Sequence, residues 1–278
     1  MKKIISSTFI ALLIFLPSIL YAQVTISPTN LFIDGNSQFG TYMVINGSNE
    51  TQEIVIDFFF AYSQSNENGD KSIIDEDAEN EQKHSIAEHV RAFPRNFTLA
   101  PGQRQTVRLR VSAPSDLEDG TYWSRIKTSS TPETPPLEVQ NNSAVTARVG
   151  IKVEQITGLF YKKGTTTTGI EINGINPIVS EDGNSLNVLV DVLRTGNSPF
   201  LGSISTSIIN SQGQEVRTGF VSTSIYFDSM FKQVVDIEGL PAGTYQAIVN
   251  FETTRSDIPS NRLVQMPMIT ETISFSIR

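Results

Sequence analysis

Few side chains in this sequence are suited to acid–base, nucleophilic or metal chemistry. The 278 residues include no cysteine and two histidines, His84 and His89. Without cysteine there is no thiolate nucleophile, no disulfide framework and no cysteine-type zinc site. On a helix, a spacing of five would turn the two histidines roughly 140° apart, which does not suit a shared metal ion. The sequence also lacks the glycine-rich and histidine motifs of common enzyme classes, so we expect no enzyme, no metal and no cofactor.

Acidic residues cluster in a polar stretch over residues 64–89. Asp75, Asp77 and Glu81 lie close together there. Carboxylates bind calcium, but the spacing lacks the central glycine and terminal glutamate of an EF-hand loop. We therefore predict a solvated excursion from the surrounding strands, with room for a short helix.

The charge and the N-terminal residues narrow the class of protein. The formal net charge is −8 and there is no basic run, so nucleic acid is not an expected partner. Lys2 and Lys3 precede an apolar stretch, Ile4 to Leu20, and Ala22 follows it, which is typical of a signal peptide over residues 1–22. The apolar stretch is short, so we expect no membrane insertion after signal removal. A periplasmic location is predicted; the alternative is a secreted or cell-surface protein.

Short runs rich in Val, Ile, Thr and Phe alternate with Gly, Asn, Pro and Ser clusters about every ten residues after residue 23. This spacing favours antiparallel strands. We predict an all-β protein of two immunoglobulin-like antiparallel β-sandwich domains in tandem. The clearest strand candidates are Gly40–Asn46, Gln52–Tyr62, Gln105–Ser112, Tyr122–Thr128, Val145–Ile156, Ser185–Leu193, Gly202–Ile209, Tyr245–Glu252 and Thr270–Ile277.

An internal repeat supports the two domains, 23–156 and 157–278. Leu117-Glu118-Asp119-Gly120-Thr121-Tyr122 is echoed by Leu240-Pro241-Ala242-Gly243-Thr244-Tyr245. A Gly-x-Tyr sequence that opens a strand suits a tyrosine corner, in which the hydroxyl bonds back to the loop backbone. Two unrelated β-turns of similar composition are the alternative. The boundary is expected between Gln155 and Gly174, with Tyr161–Gly169 as a linker or surface hairpin.

The strand predicted at Val145–Ile156 has a regular alternation. Its apolar residues share one face, and Arg148 and Lys152 lie on the other. It suits either an ordinary last strand of a sandwich or an edge strand that offers its backbone to a partner. An open edge also permits self-association with a second copy. The apolar face comprises Val145, Ala147, Val149, Ile151 and Val153.

Five blocks in residues 23–156 resemble, in order, the periplasmic pilus-assembly chaperones (PapD-like). The resemblance covers about half of the chain and is divergent. The blocks are Val24–Thr29 with Asp34-Gly35, Tyr42–Asn46, Phe93–Gly102, Gln105–Leu109 and Leu117–Tyr122.

This resemblance implies a chaperone that binds pilus or surface-fibre subunits with an incomplete immunoglobulin-like fold. The last strand of the first domain would donate its apolar residues Val145, Ala147, Val149 and Ile151 to the subunit. Lys152 would hold the terminal carboxylate of the subunit, with Arg148 as the fallback. The family's second cation corresponds to Asn30, which carries no charge.

A second hypothesis is a structural or adhesive two-domain surface component without chaperone activity. It is favoured by Asn30 at the position of the family arginine and by the weaker resemblance of residues 157–278. A carbohydrate-binding module is a third option, but it requires exposed Tyr122 and Trp123. A core position for Trp123 is the stronger expectation.

Overall fold

The computed structural model describes residues 24–133 and 151–278. The predicted signal peptide therefore lies outside the described residues, as do Val145, Ala147, Arg148 and Val149. Among the helices of the described ranges, none is long and apolar enough to cross a membrane.

Alternating apolar residues form the strands of the first half of the chain, because one side chain in two must enter the core. In chain order they are β1 (Val24–Ser27), β2 (Asn30–Asp34), β3 (Phe39–Asn46), β4 (Gln52–Phe59), β5 (Tyr62–Ser65), β6 (Lys71–Ile74), β7 (Val90–Phe93), β8 (Asn96–Leu99), β9 (Arg104–Val111), β10 (Gly120–Pro132) and β11 (Val153–Lys163). A helix, α1 (Ala78–His84), and a 3₁₀ turn, Ala87–His89, lie between β6 and β7.

The second half has longer strands. They are β12 (Thr168–Val179), β13 (Ser185–Gly196), β14 (Phe200–Ile209), β15 (Glu215–Ile225), β16 (Ser229–Asp236), β17 (Gly243–Glu252) and β18 (Ile269–Ile277), with a 3₁₀ turn at Ser260–Arg262.

Two sheets enclose each core. The first pair has the orders β1-β3-β9-β7 and β2-β11-β10-β4-β8, and its core includes the fully buried Val44, Ile56 and Leu109. The second pair has the orders β12-β13-β16 and β15-β14-β17-β18, around Val190 and Ile204. Burial of the apolar face of each sheet against its partner is the main stabilising contribution.

The predicted fold class is confirmed. The structure is about 61% strand and 5% helix, and it is an all-β arrangement of two sandwiches. The tyrosine corners are also confirmed, because both tyrosines bond back to the chain four residues earlier. The Tyr122 hydroxyl donates to the Glu118 carbonyl at 3.1 Å, and the Tyr245 hydroxyl to the Pro241 carbonyl at 2.8 Å.

The polar stretch at residues 64–89 includes a hairpin and the seven-residue helix α1. Strands β5 and β6 pair with each other alone. Asp77 caps α1 by accepting from the Asn80 backbone N–H at 3.1 Å, and it also accepts from the Tyr62 hydroxyl at 2.5 Å. These bonds hold the Asp77 pKa at about 2. The Asp77 carboxylate is therefore already used in hydrogen bonds within the chain.

Strand β11 ends later than the sequence indicates. Tyr161, predicted to begin a linker or surface hairpin, is 2% exposed inside β11, because the inward alternation continues from Leu159. The chain turns at residues 164–167 before β12. We propose that the domain boundary lies in this turn, within the expected range Gln155 to Gly174, since β11 runs unbroken through residues 156 and 157.

Candidate functional site

Strand β11 is a central strand along one part of its length and an edge along the other. Strand β10 pairs with it throughout, from Val153 to Lys163. On its other side β2 pairs in parallel only from Gly158 to Lys162. Within the described residues, the stretch Val153–Thr157 therefore has no strand on its second side. Its outward backbone N–H and C=O groups can pair with another chain.

Apolar side chains accompany this open edge. Ile151 is 63% exposed just before β11, and Ile156 is 57% exposed within it. A side chain links this edge to β1, because the Gln155 amide donates to the Val24 carbonyl at 2.8 Å. The predicted donor residues Val145, Ala147 and Val149 precede this edge in sequence but lie outside the described residues.

Lys152 already has a carboxylate partner. Its Nζ lies 2.6 Å from Glu154 Oε1, and its side chain is 57% exposed. Glu154 also accepts a hydrogen bond from the Ser129 hydroxyl at 3.2 Å. The Lys152 ammonium lowers the pKa of the Glu154 carboxyl. A subunit carboxylate at Lys152 would have to compete with Glu154.

The structure does not bring Lys152 together with Asn30. The residue opposite Asn30 in the parallel pair is Gly158, six positions further along β11 and roughly 20 Å from Lys152. A β-carbon on Gly158 would lie 2.7 Å from Asn30 Oδ1, so a larger residue there would force the Asn30 side chain to move. The Asn30 amide instead donates to Asp257 in the second half, at 3.2 Å.

Two arginines near Asn30 and Gly158 were missed by the sequence analysis. Arg255 holds Asp257 through two hydrogen bonds of 2.7 and 2.8 Å, which lower the Asp257 pKa. Arg125 donates from Nε to the Ala61 carbonyl at 3.0 Å, and its Nη1 is 3.6 Å from where a Gly158 β-carbon would be. The alternation of side chains along the strand that follows Tyr122 is a sequence signal that could have identified Arg125. Arg255 follows β17 in a loop and gives no periodic signal.

A cluster of aromatic and aliphatic side chains joins the two halves. Trp123 is 2% exposed and lies 5.0 Å from the Tyr226 ring, centroid to centroid. The expectation of a core tryptophan is therefore confirmed, and an exposed carbohydrate platform at Trp123 is wrong. This junction cluster comprises Phe60, Tyr62, Trp123 and Phe160 with Leu201, Tyr226, Ile258 and Leu263.

His84 closes one side of this cluster. Its ring stacks on Trp123 at 4.9 Å. Burial, reinforced by the nearby positive charges of Arg194 and Lys83, lowers the His84 pKa to about 4. The imidazole is therefore neutral at pH 7. Among the described residues, no group of three or more His, Cys, Asp or Glu side chains is arranged to hold a metal ion.

The β5–β6 hairpin also reaches the second half. Asp70 forms an ion pair with Lys232 of β16. The Lys71 ammonium donates to the Thr223 hydroxyl at 3.0 Å, and the Ser65 N–H to the Ser229 hydroxyl at 3.1 Å. Together with the junction cluster, these contacts fix the second sandwich against the first.

No family model matches the sequence. The search of curated proteins gives no match either. Among solved structures, the chain is similar to the YadV chaperone, with 13% identity, 91% of this chain and 100% of that chain covered, and a TM-score of 0.46. It is also similar to the Pseudomonas aeruginosa CupB2 chaperone, with 10% identity, 91% of this chain and 100% of that chain covered, and a TM-score of 0.45. A third similar structure is the CsuC–CsuE chaperone–tip adhesion subunit complex of Acinetobacter baumannii. The identity is 11%, the match covers 90% of this chain and 98% of that chain, and the TM-score is 0.43.

Proposed function

We propose that the protein is a periplasmic chaperone, without enzymatic activity, that binds pilus or surface-fibre subunits by β-strand donation. The open edge of β11 at Val153–Thr157, preceded by the exposed Ile151, carries the proposal. An unpaired edge with exposed apolar side chains is a liability unless a partner covers it. The ordered sequence blocks in residues 23–156 favour the same function.

The subunit would lack one strand of an immunoglobulin-like sandwich. Main-chain pairing would give affinity, and alternate side chains would fill the groove left by the missing strand. In this proposal Val145, Ala147, Val149 and Ile151 supply those side chains. The segment leads directly into β11, so the donated strand continues a sheet that is already folded.

Two sites compete for a terminal carboxylate of the subunit. Lys152, with Arg148 as fallback, is the site that the resemblance implies, but Glu154 occupies it. Arg125 is the alternative, because its Nη1 faces the Asn30–Gly158 pair. Nε and Nη2 of Arg125 already donate to the Ala61 carbonyl and the Tyr226 hydroxyl, so Nη1 is the group that it could offer to a carboxylate.

The test is subunit capture by the tagged mature protein in its native periplasm, followed by reconstitution with the purified bound protein. Val149→Asp is expected to abolish capture of a small β-rich partner, since a charge cannot enter an apolar groove. Thr146→Asp, on the opposite face of the predicted strand, is the matched control and retains capture. Unchanged capture by a folded Val149→Asp protein contradicts strand donation. Lys152→Gln and Arg125→Gln then identify the anchor.

A structural or adhesive surface component is the second candidate. It is favoured by the uncharged Asn30 at the position where the resemblance implies a cation. Protease treatment of intact cells distinguishes the two, because a periplasmic chaperone is protected and a surface component is cleaved. In the second case the open edge of β11 would pair with another copy, which sedimentation at increasing protein concentration detects.

A further inference from the structure

The outer face of the sheet β1-β3-β9-β7 is basic in an acidic protein. Its strand residues are exposed at alternate positions, while the intervening residues enter the first core. Four of them are arginines and none is a lysine, aspartate or glutamate. The face comprises Thr25, Ser27, Phe39, Thr41, Met43, Ile45, Arg91, Phe93, Arg104, Thr106, Arg108 and Arg110.

The arrangement of these arginines is unfavourable for folding alone. Arg91 lies directly opposite Arg110 in the β7–β9 pair, and like charges at such positions are destabilising. Within residues 24–133 and 151–278, none of the four arginines forms an ion pair. Arg91 donates instead to the carbonyls of Glu88 and Val90. An anion from outside the chain would relieve this repulsion.

Two exposed phenylalanines are interleaved with the arginines. Phe39 is 51% exposed and Phe93 is 58% exposed. Phe39, Arg110 and Arg91 form one row across the sheet. Thr41, Arg108 and Phe93 form the next, so the two rings occupy opposite corners of the patch. The Arg110 guanidinium carbon is 5.9 Å from the centre of the Phe39 ring.

We propose that this arginine–phenylalanine face docks on the surface of an anionic phospholipid bilayer. Arginine guanidinium groups bind phosphate oxygens, and aromatic rings beside them rest at the boundary of headgroups and acyl chains. The face is a sheet surface, and the main cavities of the described residues are lined by other side chains. Guanidinium groups and aromatic rings on a regular sheet surface complement the plane of phosphate headgroups in a bilayer.

The electrostatics allow this orientation despite the net charge of −8. At physiological ionic strength charges act over about 8 Å, so the arginines next to the lipid dominate over carboxylates on the far side. The face belongs to the sheet opposite β11. Bilayer docking is therefore independent of subunit binding, and each can fail without the other.

Cosedimentation of the mature protein with vesicles tests the proposal. Binding is expected to vesicles of phosphatidylglycerol and phosphatidylcholine but not to phosphatidylcholine alone, and to be lost at about 0.5 M NaCl. The double variant Arg108→Glu/Arg110→Glu should weaken binding by roughly thirtyfold or more. Arg217→Glu/Arg262→Glu makes the same change of net charge elsewhere and keeps binding. Phe93→Ser, which leaves every charge in place, should weaken binding less.

Three outcomes overturn the proposal. One is an absence of sedimentation with the phosphatidylglycerol vesicles. Another is equal loss in the two double variants, which would assign the effect to net charge alone. The third is that the protein does not bind vesicles but forms a complex with a purified acidic protein that depends on these arginines. That result would make this face a protein interface. If the double variant does not fold, the salt dependence of vesicle binding by the unmodified protein and the Phe93→Ser variant still test the proposal.

Discussion

Gly158 of β11 lies directly opposite Asn30 of β2, and a β-carbon on Gly158 would be 2.7 Å from Asn30 Oδ1. The Asn30 amide can rotate away, but the Phe160 ring, whose Cε2 would lie 3.1 Å from the added β-carbon, is buried and has little freedom to move. We expect Gly158→Ala to lower the free energy of unfolding by about 1 to 3 kcal/mol. Urea denaturation measures this effect. Gly174→Ala in β12, where nothing lies within 4 Å, is the matched control. Equal effects of the two substitutions would contradict the crowding argument.

The two corner tyrosines should contribute unequally to stability. Tyr245 is 5% exposed with a 2.8 Å bond, whereas the bond from Tyr122 is 3.1 Å and solvent-exposed. Tyr245→Phe should cost about 1 kcal/mol, and Tyr122→Phe should cost less, since water can replace an exposed hydrogen bond. Thermal unfolding followed by circular dichroism compares them. A larger loss from Tyr122→Phe would count against this order.

The stability of the junction cluster should depend on pH through His84. Its pKa is about 4 in the folded protein, below the ordinary 6.5, because it is buried beside Trp123 and near two positive charges. Between these values the unfolded chain binds more protons than the folded chain, so stability falls as pH decreases from about 6.5 towards 4.

His84→Gln removes this contribution. The loss of stability between pH 7 and pH 5, measured by urea denaturation, should be smaller in that variant than in the unmodified protein. His89→Gln serves as the control. An unchanged pH dependence in His84→Gln would mean that other groups cause it.

Trp123 is the single tryptophan of the chain, so its fluorescence reports on the junction cluster. Tyr226 packs on it and its hydroxyl accepts from Arg125 at 3.2 Å. We expect Tyr226→Ala to cost about 3 kcal/mol and to shift Trp123 emission to longer wavelength, as water reaches the ring. Phe220→Ala removes an aromatic ring that is 62% exposed and should leave the emission unchanged. No red shift in Tyr226→Ala would argue against this packing.

Local patterns in the sequence account for much of the fold. Strict alternation in β9 and β13 marks residues such as Leu109 and Val190, which are fully buried. The repeated Gly-x-Tyr sequence predicts both hydrogen bonds of the tyrosine corners. These features depend on neighbours in the chain, which a sequence displays directly.

Contacts between distant segments were not predictable in the same way. The parallel pairing of Asn30 with Gly158 determines which positively charged side chain lies near Asn30. No local sequence pattern predicts the register of that pairing. Likewise, Arg255 lies in a loop, and its position depends on how the second sandwich meets the first. Helix α1 has seven residues, too few for a clear helical period. The roles of Lys152 and Arg148 remain predictions.

The position of β11 between β2 and β10 has a consequence for the order of folding. Gln155 bonds to Val24 across 131 positions of the chain, and β2 pairs with β11 over a comparable separation. Contacts between residues so far apart in sequence form slowly, because a long loop must close before these contacts give any stability. During synthesis, the first sandwich can therefore be completed only after both its earliest and its latest strands have emerged. Until then, the edge of β10 that β11 will cover is open to mispairing.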